Sequence, residues 1–341
     1  MKKAYSFDDV LIVPQYSEIS SRSDCRTSPC LPLLNMKIPI FAANMDTICG
    51  TEMIKKMHKL GGMGILHRYM KITEAHNIIS DWKDTDGKLI VSVGSIVQDK
   101  RRINMVIDWA TSSRTSKPLK DLGICVDLAH GDSKNMVDTL NYLREEGFEG
   151  LIIAGNVCTY NGAMRLFENG ADIVKVGVGP GSACTTRIKT GCGYPQLCAI
   201  EECAKAGPII ADGGIRHYGD AAKALAVGAD AVMIGGLLAG TDGTPFWSET
   251  PSCSELEFRG MASKAARKSC GASGKNAEGV SVTVPWRPEG STQEVVEELV
   301  EGIQSAMSYS GATTLLEFRT KSQIIQTTTS IIRENLPHII T

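Results

Sequence analysis

Eight short apolar runs recur along the first two thirds of the chain, and most of them end in a glycine or a polar residue. Each run is apolar at consecutive positions instead of alternate ones, which predicts strands buried on both faces, as in a parallel sheet. The runs occupy residues 39–45, 62–67, 89–94, 123–127, 150–155, 171–177, 208–211 and 229–235.

Segments with a helical spacing of apolar residues lie between these runs, at 51–60, 72–82, 103–110, 133–146, 161–169, 195–206 and 219–227. Ser133 stands where an N-cap is expected, and a glycine follows four of the segments, at 147, 170, 207 and 228. Strict alternation of strand and helix predicts a (β/α)8 TIM barrel. A doubly wound open sheet is the alternative, but eight units in about 200 residues suit a closed barrel better.

The chain changes character after the eighth run. Residues 241–290 are rich in Gly, Ser, Pro and charged side chains and have little periodic hydrophobicity, which predicts a mobile lid over the active site. Residues 293–307 predict an amphipathic helix, with which a C-terminal helical tail begins. We therefore expect one catalytic barrel domain over residues 1–341, with no inserted regulatory domain.

Composition narrows the function classes. Of the 341 residues, 43% are hydrophobic, so we expect a large core. The formal charge of −2 argues against nucleic acid as a partner. No stretch of eighteen uninterrupted apolar residues predicts a membrane span. The eleven cysteines show no zinc-ligand spacing and several lie within apolar runs, which indicates free thiols in a reducing cytoplasm.

One cysteine differs from the others. Most cysteines in such a chain are small buried hydrophobic residues, but Cys184 lies in the loop GVGPGSACTTR (177–187), which follows the sixth apolar run. Glycines and hydroxyl side chains surround it, so the thiol can be exposed and the backbone can approach a bound group closely. Cys184 is therefore the candidate nucleophile.

Polar residues follow each of the other strands, on the rim where TIM barrels carry their chemistry. Each alone has a structural interpretation, as a helix cap or a hydrogen-bonded core residue, but all converge on one rim. Glycine pairs after strands seven and eight predict a phosphate site, and Asp212 is placed to accept hydrogen bonds from a ribose diol. The rim residues are Asn44, Met45, Asp46, His67, Arg68, Ser95, Asp127, His130, Asn156, Asp212, Gly213, Gly214, Gly235 and Gly236.

Eight motifs run through most of the chain, namely AANMDT (42–47), DLAHG (127–131), AGNV (154–157), GVGPGSACTTR (177–187), ADGGI (211–215), IGGLLAG (234–240), RGMAS (259–263) and EGVSVTVP (278–285). Together they resemble the motifs of the IMP dehydrogenase/GMP reductase family.

The lid favours the reductase branch of that family. Nothing is inserted between Arg68 and Leu89, and no tyrosine occurs between Met261 and Glu278, where the resemblance implies that a dehydrogenase carries the Arg-Tyr pair that activates water. The segment 187–197 and Phe258 are also similar to reductases. DLAHG and ADGGIRHYGD (211–220) resemble dehydrogenases equally well, and Gly274 and Lys275 replace a Tyr-Arg pair of some reductases. The choice between NADPH and NADH therefore stays open.

The resemblance implies a role for each matching residue. Cys184 would attack C2 of GMP with Thr186 and Glu278 as the acid pair, NADPH would supply hydride, and GMP and IMP would be the ligands of a homotetramer. The substrate would contact Met45, Ser182, Asp212, Gly213, Gly214, Gly235, Gly236, Arg259, Gly260, Met261 and Ala262. The cofactor would contact Arg68, Ser95, Asp127 and Lys275, and carbonyls of Gly179, Gly181 and Cys184 would bind K⁺.

Two other functions stay open at this point. One is an IMP dehydrogenase that lacks the regulatory domains and converts IMP and NAD to XMP. The other is a purine-nucleotide-binding barrel without catalytic activity, although intact Cys184, Thr186 and Glu278 argue against it.

Overall fold

The computed structural model describes residues 3–82, 87–111, 122–245, 254–269, 276–328 and 330–335. The strands of this part of the chain are β1 (Val10–Val13), β2 (Ile40–Ala42), β3 (Met63–Leu66), β4 (Leu89–Val93), β5 (Leu122–Asp127), β6 (Ile152–Val157), β7 (Ile173–Val176), β8 (Ile209–Asp212), β9 (Ala231–Ile234), β10 (Glu255–Arg259), β11 (Ser281–Pro285) and β12 (Gln323–Gln326). The helices are α1 (Thr51–Leu60), α2 (Ile72–Trp82), α3 (Ile96–Thr111), α4 (Lys134–Glu145), α5 (Tyr160–Glu168), α6 (Thr186–Thr190), α7 (Gln196–Cys203), α8 (Tyr218–Ala226), α9 (Lys264–Ser269), α10 (Ser291–Tyr309), α11 (Leu315–Lys321) and α12 (Ile331–Glu334).

Strands β2 to β9 form a closed parallel barrel in chain order. Closure comes from the pairing of β2 with β9, in which Phe41 lies opposite Met233. This pairing excludes the open doubly wound sheet and confirms the (β/α)8 prediction. Each of the eight apolar runs supplies one barrel strand.

The barrel strands are apolar throughout because both of their faces are buried. Side chains such as Phe41, Ile65 and Ile153 fill the barrel interior, whereas their neighbours Ile40 and Ile152 pack outward against the helices. Alternate residues of a strand point to opposite faces, so both layers draw on every strand. The interior layer is one compact cluster, and the outer layer is the larger hydrophobic core.

The helices lie close to their predicted positions, with one clear difference. Helix α3 begins at Ile96, before the predicted 103–110 segment, and has non-helical backbone angles at Asp99. Basic residues at 100–102 interrupt the apolar spacing there, so the first turns are not evident in the sequence. Ser133 does precede α4, but its side chain makes no capping hydrogen bond.

Two antiparallel pairs lie outside the barrel. Strand β1 pairs with β12, which joins the two ends of the described chain. Strand β10 pairs with β11, and this hairpin belongs to the predicted lid, for which the sequence indicated little regular structure. Helix α10 follows the lid and packs on α8. No helix in the described ranges is long and apolar enough to span a membrane.

Candidate active site

A cavity of about 280 Å³ opens at the carboxyl ends of the barrel strands, beneath the lid hairpin. Most of the residues predicted for the site line it together. These are Met45, Arg68, Asp127, Gly179, Gly181, Ser182, Cys184, Thr186, Asp212, Gly213, Gly214, Gly235, Gly236, Gly260, Met261, Ala262 and Glu278. Ser95 and Arg259 do not line the cavity, and Lys275 falls outside the described residues.

Three side chains form a chain of hydrogen bonds across the cavity. The thiol of Cys184 lies 3.2 Å from Oγ1 of Thr186, to which it donates. The hydroxyl of Thr186 in turn donates to Oε2 of Glu278 over 2.8 Å. A thiol, a hydroxyl and a carboxylate in this order can move a proton between the cysteine region and the lid.

Backbone hydrogen bonds attach the cysteine loop to the lid. The amide of Thr185 donates to the carbonyl of Glu278 over 2.8 Å, and the amide of Val280 donates to the carbonyl of Ala183 over 3.0 Å. The loop thus pairs with the lid segment on both sides of Cys184, which forms an antiparallel bridge with Gly279. The positions of Cys184 and Glu278 are therefore set by the same short stretch of backbone pairing.

The glycines after β8 and β9 lie close against Ser182, Met45 and Gly181. A Cβ atom on Gly236 would lie 3.0 Å from Oγ of Ser182, and one on Gly235 would lie 3.1 Å from Sδ of Met45. Gly213 has a φ of +88° and would place a Cβ 3.1 Å from the amide nitrogen of Gly181. Larger residues would fill this part of the cavity, whereas glycines leave backbone amides accessible to an anion.

A buried lysine, which the sequence analysis did not single out, lies at the bottom of the cavity. Lys175 is 1% exposed, and its Nζ donates to Oδ1 of Asp127 over 2.8 Å and to Oδ2 of Asp212 over 3.2 Å. Asn156 also donates to Oδ2 of Asp212, over 2.8 Å. The sequence could have indicated this residue, because Lys175 lies inside the apolar strand IVKV. A lysine is almost never fully buried unless it is paired with an opposite charge.

The charges of this network hold one another in the ionised form. Burial alone would raise the pKa of Asp127, but the ammonium of Lys175 and the guanidinium of Arg68 outweigh it and lower that pKa below its usual range. Burial likewise opposes the charge of Lys175, yet Asp127 and Asp212 raise its pKa well above the usual range. The cavity floor therefore carries fixed charges at neutral pH.

Arg259 contributes to the lid from outside the cavity. Its Nε lies 3.0 Å from Oδ2 of Asp46, which is buried in the loop after β2. Its backbone amide donates to Oγ1 of Thr47 over 3.3 Å. The adjacent residues Met261 and Ala262 do line the cavity, so Arg259 anchors the segment that faces the cavity.

His67 and Ser95 are buried and do not line the cavity. Burial lowers the pKa of His67 to about 4 against the opposing effect of the Asp46 carboxylate, and the imidazole is therefore neutral at pH 7. Ser95 is fully buried, and its carbonyl accepts the amide of Asp99 over 2.8 Å at the start of α3.

The predicted cation site consists of backbone groups beside Cys184. Gly179 and Gly181 line the cavity, and the carbonyl of Gly181 accepts the amide of Cys184 over 3.0 Å. Within the described ranges, no group of three or more His, Cys, Asp and Glu side chains could hold a metal ion.

The cavity thus brings together a thiol, a hydrogen-bonded hydroxyl and carboxylate, a wall rich in glycines and the carboxylate of Asp212. The family model of the IMP dehydrogenase/GMP reductase domain matches residues 4–338. The chain belongs to this family. The match extends over nearly the whole chain, so the barrel, the lid and the C-terminal segments all fall within it.

Relatives from both branches of the family are similar over most of their length. A GMP reductase of Buchnera aphidicola subsp. Acyrthosiphon pisum (strain Tuc7) is 38% identical over 337 residues, with 94% of each chain covered. An IMP dehydrogenase of Cryptosporidium parvum is 36% identical over 386 residues, which cover 98% of this chain and 95% of that one. The crystal structure of a GMP reductase variant from Trypanosoma brucei in complex with guanosine 5'-monophosphate superposes with a TM-score of 0.87 at 25% identity, covering 100% of this chain and 99% of that one.

Proposed function

We propose that the protein is a GMP reductase, which converts GMP to IMP and ammonia with NADPH as the reductant. The observation that carries this proposal is the hydrogen-bonded order of Cys184, Thr186 and Glu278. Deamination requires a nucleophile for C2 of the purine and an acid for the departing amine, and this order supplies both. The GMP reductases among the relatives support the same choice.

The first half of the reaction uses only side chains of this cavity. The thiolate of Cys184 forms a bond to C2 of the purine, and the bond between C2 and the exocyclic nitrogen breaks. The proton of the Cys184 thiol passes through the hydroxyl of Thr186 to Glu278 as the thiolate forms, and it returns along the same path to the amine, which leaves as ammonia. The purine is then held as a thioimidate on the cysteine sulfur.

Reduced nicotinamide, when bound, supplies the hydride that ends on C2, while the C–S bond breaks and the thiolate of Cys184 is restored. The structure fits such a ligand on the side of Arg68. The Nε atom of Arg68 is buried and has no hydrogen-bond partner among the described residues, although the side chain lines the cavity. Arg68 and Asp127 would therefore hold the nicotinamide portion of the cofactor.

The nucleotide would lie across the glycine-lined half of the cavity. Ser182, Gly214, Gly235 and Gly236 would hold the 5′-phosphate, because backbone amides and a hydroxyl in a concave site suit an anion. Asp212 would accept hydrogen bonds from the ribose, and the backbone of 260–262 would contact the base.

The preference for NADPH, a K⁺ ion on the carbonyls of Gly179, Gly181 and Cys184, and a homotetrameric assembly are parts of the same proposal, as is a cytoplasmic location. Support for the location comes from the cysteines, since all nine that lie in the described residues are free thiols.

A second candidate is an IMP dehydrogenase without regulatory domains. The relative from Cryptosporidium parvum favours it, because 95% of that dehydrogenase is covered by this chain. The first steps would again use Cys184, but the intermediate would then be hydrolysed, which needs a group that activates water.

One experiment distinguishes the two. The absorbance of reduced nicotinamide is followed in one reaction with GMP and NADPH and in another with IMP, NAD and K⁺. A decrease in the first without an increase in the second is expected. Cys184→Ala should abolish the decrease, whereas Cys192→Ala, which changes an exposed cysteine a few residues away, should leave it intact. An increase in the second reaction alone would establish the dehydrogenase instead.

A further inference from the structure

The interior position of Lys175 is unusual for a barrel strand. In β7, Ile173 fills the barrel interior while Val174 and Val176 pack outward, so Lys175 occupies an interior position by the alternation of the strand. Its backbone also lies against Gly155 of β6, where an added Cβ would be 2.6 Å from the carbonyl oxygen of Lys175. A buried ammonium at this place costs stability unless it is fully paired.

The partners of Lys175 come from opposite halves of the site. Asp212 ends β8 next to the glycines, whereas Asp127 ends β5 and faces the guanidinium of Arg68. Both carboxylates accept hydrogen bonds from the same Nζ atom, at 3.2 Å and 2.8 Å. The amide oxygen of Asn44, at the end of β2, lies 3.4 Å from that atom.

We propose that Lys175 is a positioning residue that orients Asp212 toward the nucleotide and Asp127 toward the nicotinamide, and so couples the two halves of the cavity. This inference rests on the proposed function, because it assigns Asp212 to the ribose. Lys175 bonds to both carboxylates and acts through them.

The coupling follows from electrostatics. Two carboxylates that share one buried cation can both stay ionised, whereas the same pair without the cation takes up a proton more readily. The other titratable groups that face this network are Arg68, beside Asp127, and Cys125 of β5, whose pKa burial raises to about 12. Cys125 therefore stays neutral, and Arg68 cannot replace the ammonium at Asp212.

The test is the affinity for GMP, measured by calorimetric titration without a reductant at pH values from 6 to 8. Lys175→Met is compared with the wild type at each pH, so that titration of the GMP phosphate cancels. We expect the ratio of the two Kd values to rise about tenfold between pH 8 and pH 6, because Asp127 loses the ammonium that lowers its pKa, takes up a proton and then hydrogen-bonds Asp212 away from the ribose. The steady-state kcat of the same variant should also fall, because Asp127 is no longer held.

Lys56→Met is the matched control. Lys56 also pairs with a buried aspartate, with its Nζ 2.8 Å from Oδ2 of Asp242, but this pair does not line the cavity. The ratio of the Kd of Lys56→Met to that of the wild type should stay constant with pH. Should Lys175→Met fail to fold, Lys175→Gln keeps an N–H donor without the charge and is expected to show the same pH dependence.

The outcomes separate the inference from the proposed function. Wild-type protein that binds GMP together with a variant ratio that does not change with pH would overturn the role of Lys175 and leave the reductase proposal standing. Wild-type protein that binds neither GMP nor IMP would overturn both.

Discussion

The hydroxyl of Thr186 lies 2.8 Å from Oε2 of Glu278 and joins the first turn of α6 to the lid segment before β11. Thr186 is two residues from Cys184 in the chain, whereas Glu278 is distant in sequence and is brought close by the pairing of Gly279 with Cys184. The acid of the proposed reaction is therefore assembled from two parts of the fold.

Replacement of Thr186 or Glu278, which share this hydrogen bond, should slow the chemical step more than it weakens the binding of GMP. Glu278→Gln keeps the shape of the side chain but cannot supply a proton, and kcat should fall on the order of 100-fold or more. The KM for GMP should change little. Steady-state kinetics with GMP and NADPH measure both values.

Thr185→Ala is the control for this series. The Oγ1 atom of Thr185 is buried without a hydrogen-bond partner among the described residues, although Thr185 adjoins both Cys184 and Thr186. Its kcat should stay close to that of the wild type. An equal loss of kcat in Thr185→Ala and Thr186→Val would show that the loop responds to any change and would remove the special role of Thr186.

The close approach of Gly236 to Ser182 predicts a binding defect. A methyl group at Gly236 would lie 3.0 Å from Oγ of Ser182 and would displace it from the proposed phosphate site. The KM for GMP should rise about tenfold in Gly236→Ala, which corresponds to roughly 1.4 kcal/mol. Gly219→Ala in α8, where no atom lies within 4 Å of the added Cβ, should leave KM unchanged. Equal KM values for the two variants would argue against phosphate at this site.

The ion pair of Asp46 and Arg259 should be needed for a well-placed lid. Arg259→Met removes the bond to Asp46 and leaves a carboxylate that is only 5% exposed without its partner. The KM for GMP should rise, because the backbone of Met261 and Ala262 loses its anchor. In a double-mutant cycle with Asp46→Asn, the two changes should be less than additive by about 1 kcal/mol or more.

Arg165→Met provides the comparison for that cycle. Arg165 pairs with Asp132 at 2.8 Å on the exterior, where both side chains are partly exposed. A bond of this kind contributes little, and KM should not change. Fully additive effects of Arg259→Met and Asp46→Asn would show that the two side chains act separately.

Asp242 should make stability depend on pH in the acid range. Its carboxylate accepts the amides of Gly290 and Thr292 at the start of α10, each over 2.9 Å, and pairs with Lys56. Burial alone would raise the pKa of Asp242, but these bonds lower it to about 2. The pKa of Asp242 is therefore lower in the folded protein than in the unfolded chain. Its contribution to the free energy of unfolding is complete above about pH 5 and is lost as pH falls toward 2.

The ionised carboxylate of Asp242 contributes about 2 kcal/mol to the free energy of unfolding at neutral pH. Asp242→Asn should therefore lower the melting temperature at pH 7 by about 3 °C and should have a smaller effect at pH 3. Differential scanning calorimetry at the two pH values measures this. The same decrease at both pH values would mean that the hydrogen bonds to α10, and not the charge, are what stabilise the fold.

The barrel was predictable from sequence because its evidence is local. Consecutive apolar residues, helical spacing and glycines after helices each depend on neighbours in the chain, and all eight runs became barrel strands. The pairing of β1 with β12 joins the two ends of the described chain, and no local pattern specifies such a partner. Strands β10 and β11 are likewise separated by α9, so no local pattern predicted their pairing.

The site was predictable at the strand ends and less so elsewhere. Asp212 ends a strand, the glycine pairs follow strands, and Cys184 lies in the loop after β7, so the barrel geometry brings them to one rim. Ser95 also follows a strand, but the start of α3 uses its backbone and the side chain is buried. Lys175 lies within a strand, where sequence analysis treats side chains as core, and its role depends on carboxylates from two other strands.

The backbone pairing between the cysteine loop and the lid has a consequence for the order of events. If residues 241–290 act as the predicted lid, their opening would break the bonds of Thr185 and Val280 and carry Glu278 away from Thr186. The thiol of Cys184 would then lose the carboxylate at the end of its hydrogen-bond chain. The nucleotide would thus enter the open state, whereas the reaction would need the closed state. A ligand that does not hold the lid closed would therefore leave before Cys184 attacks it.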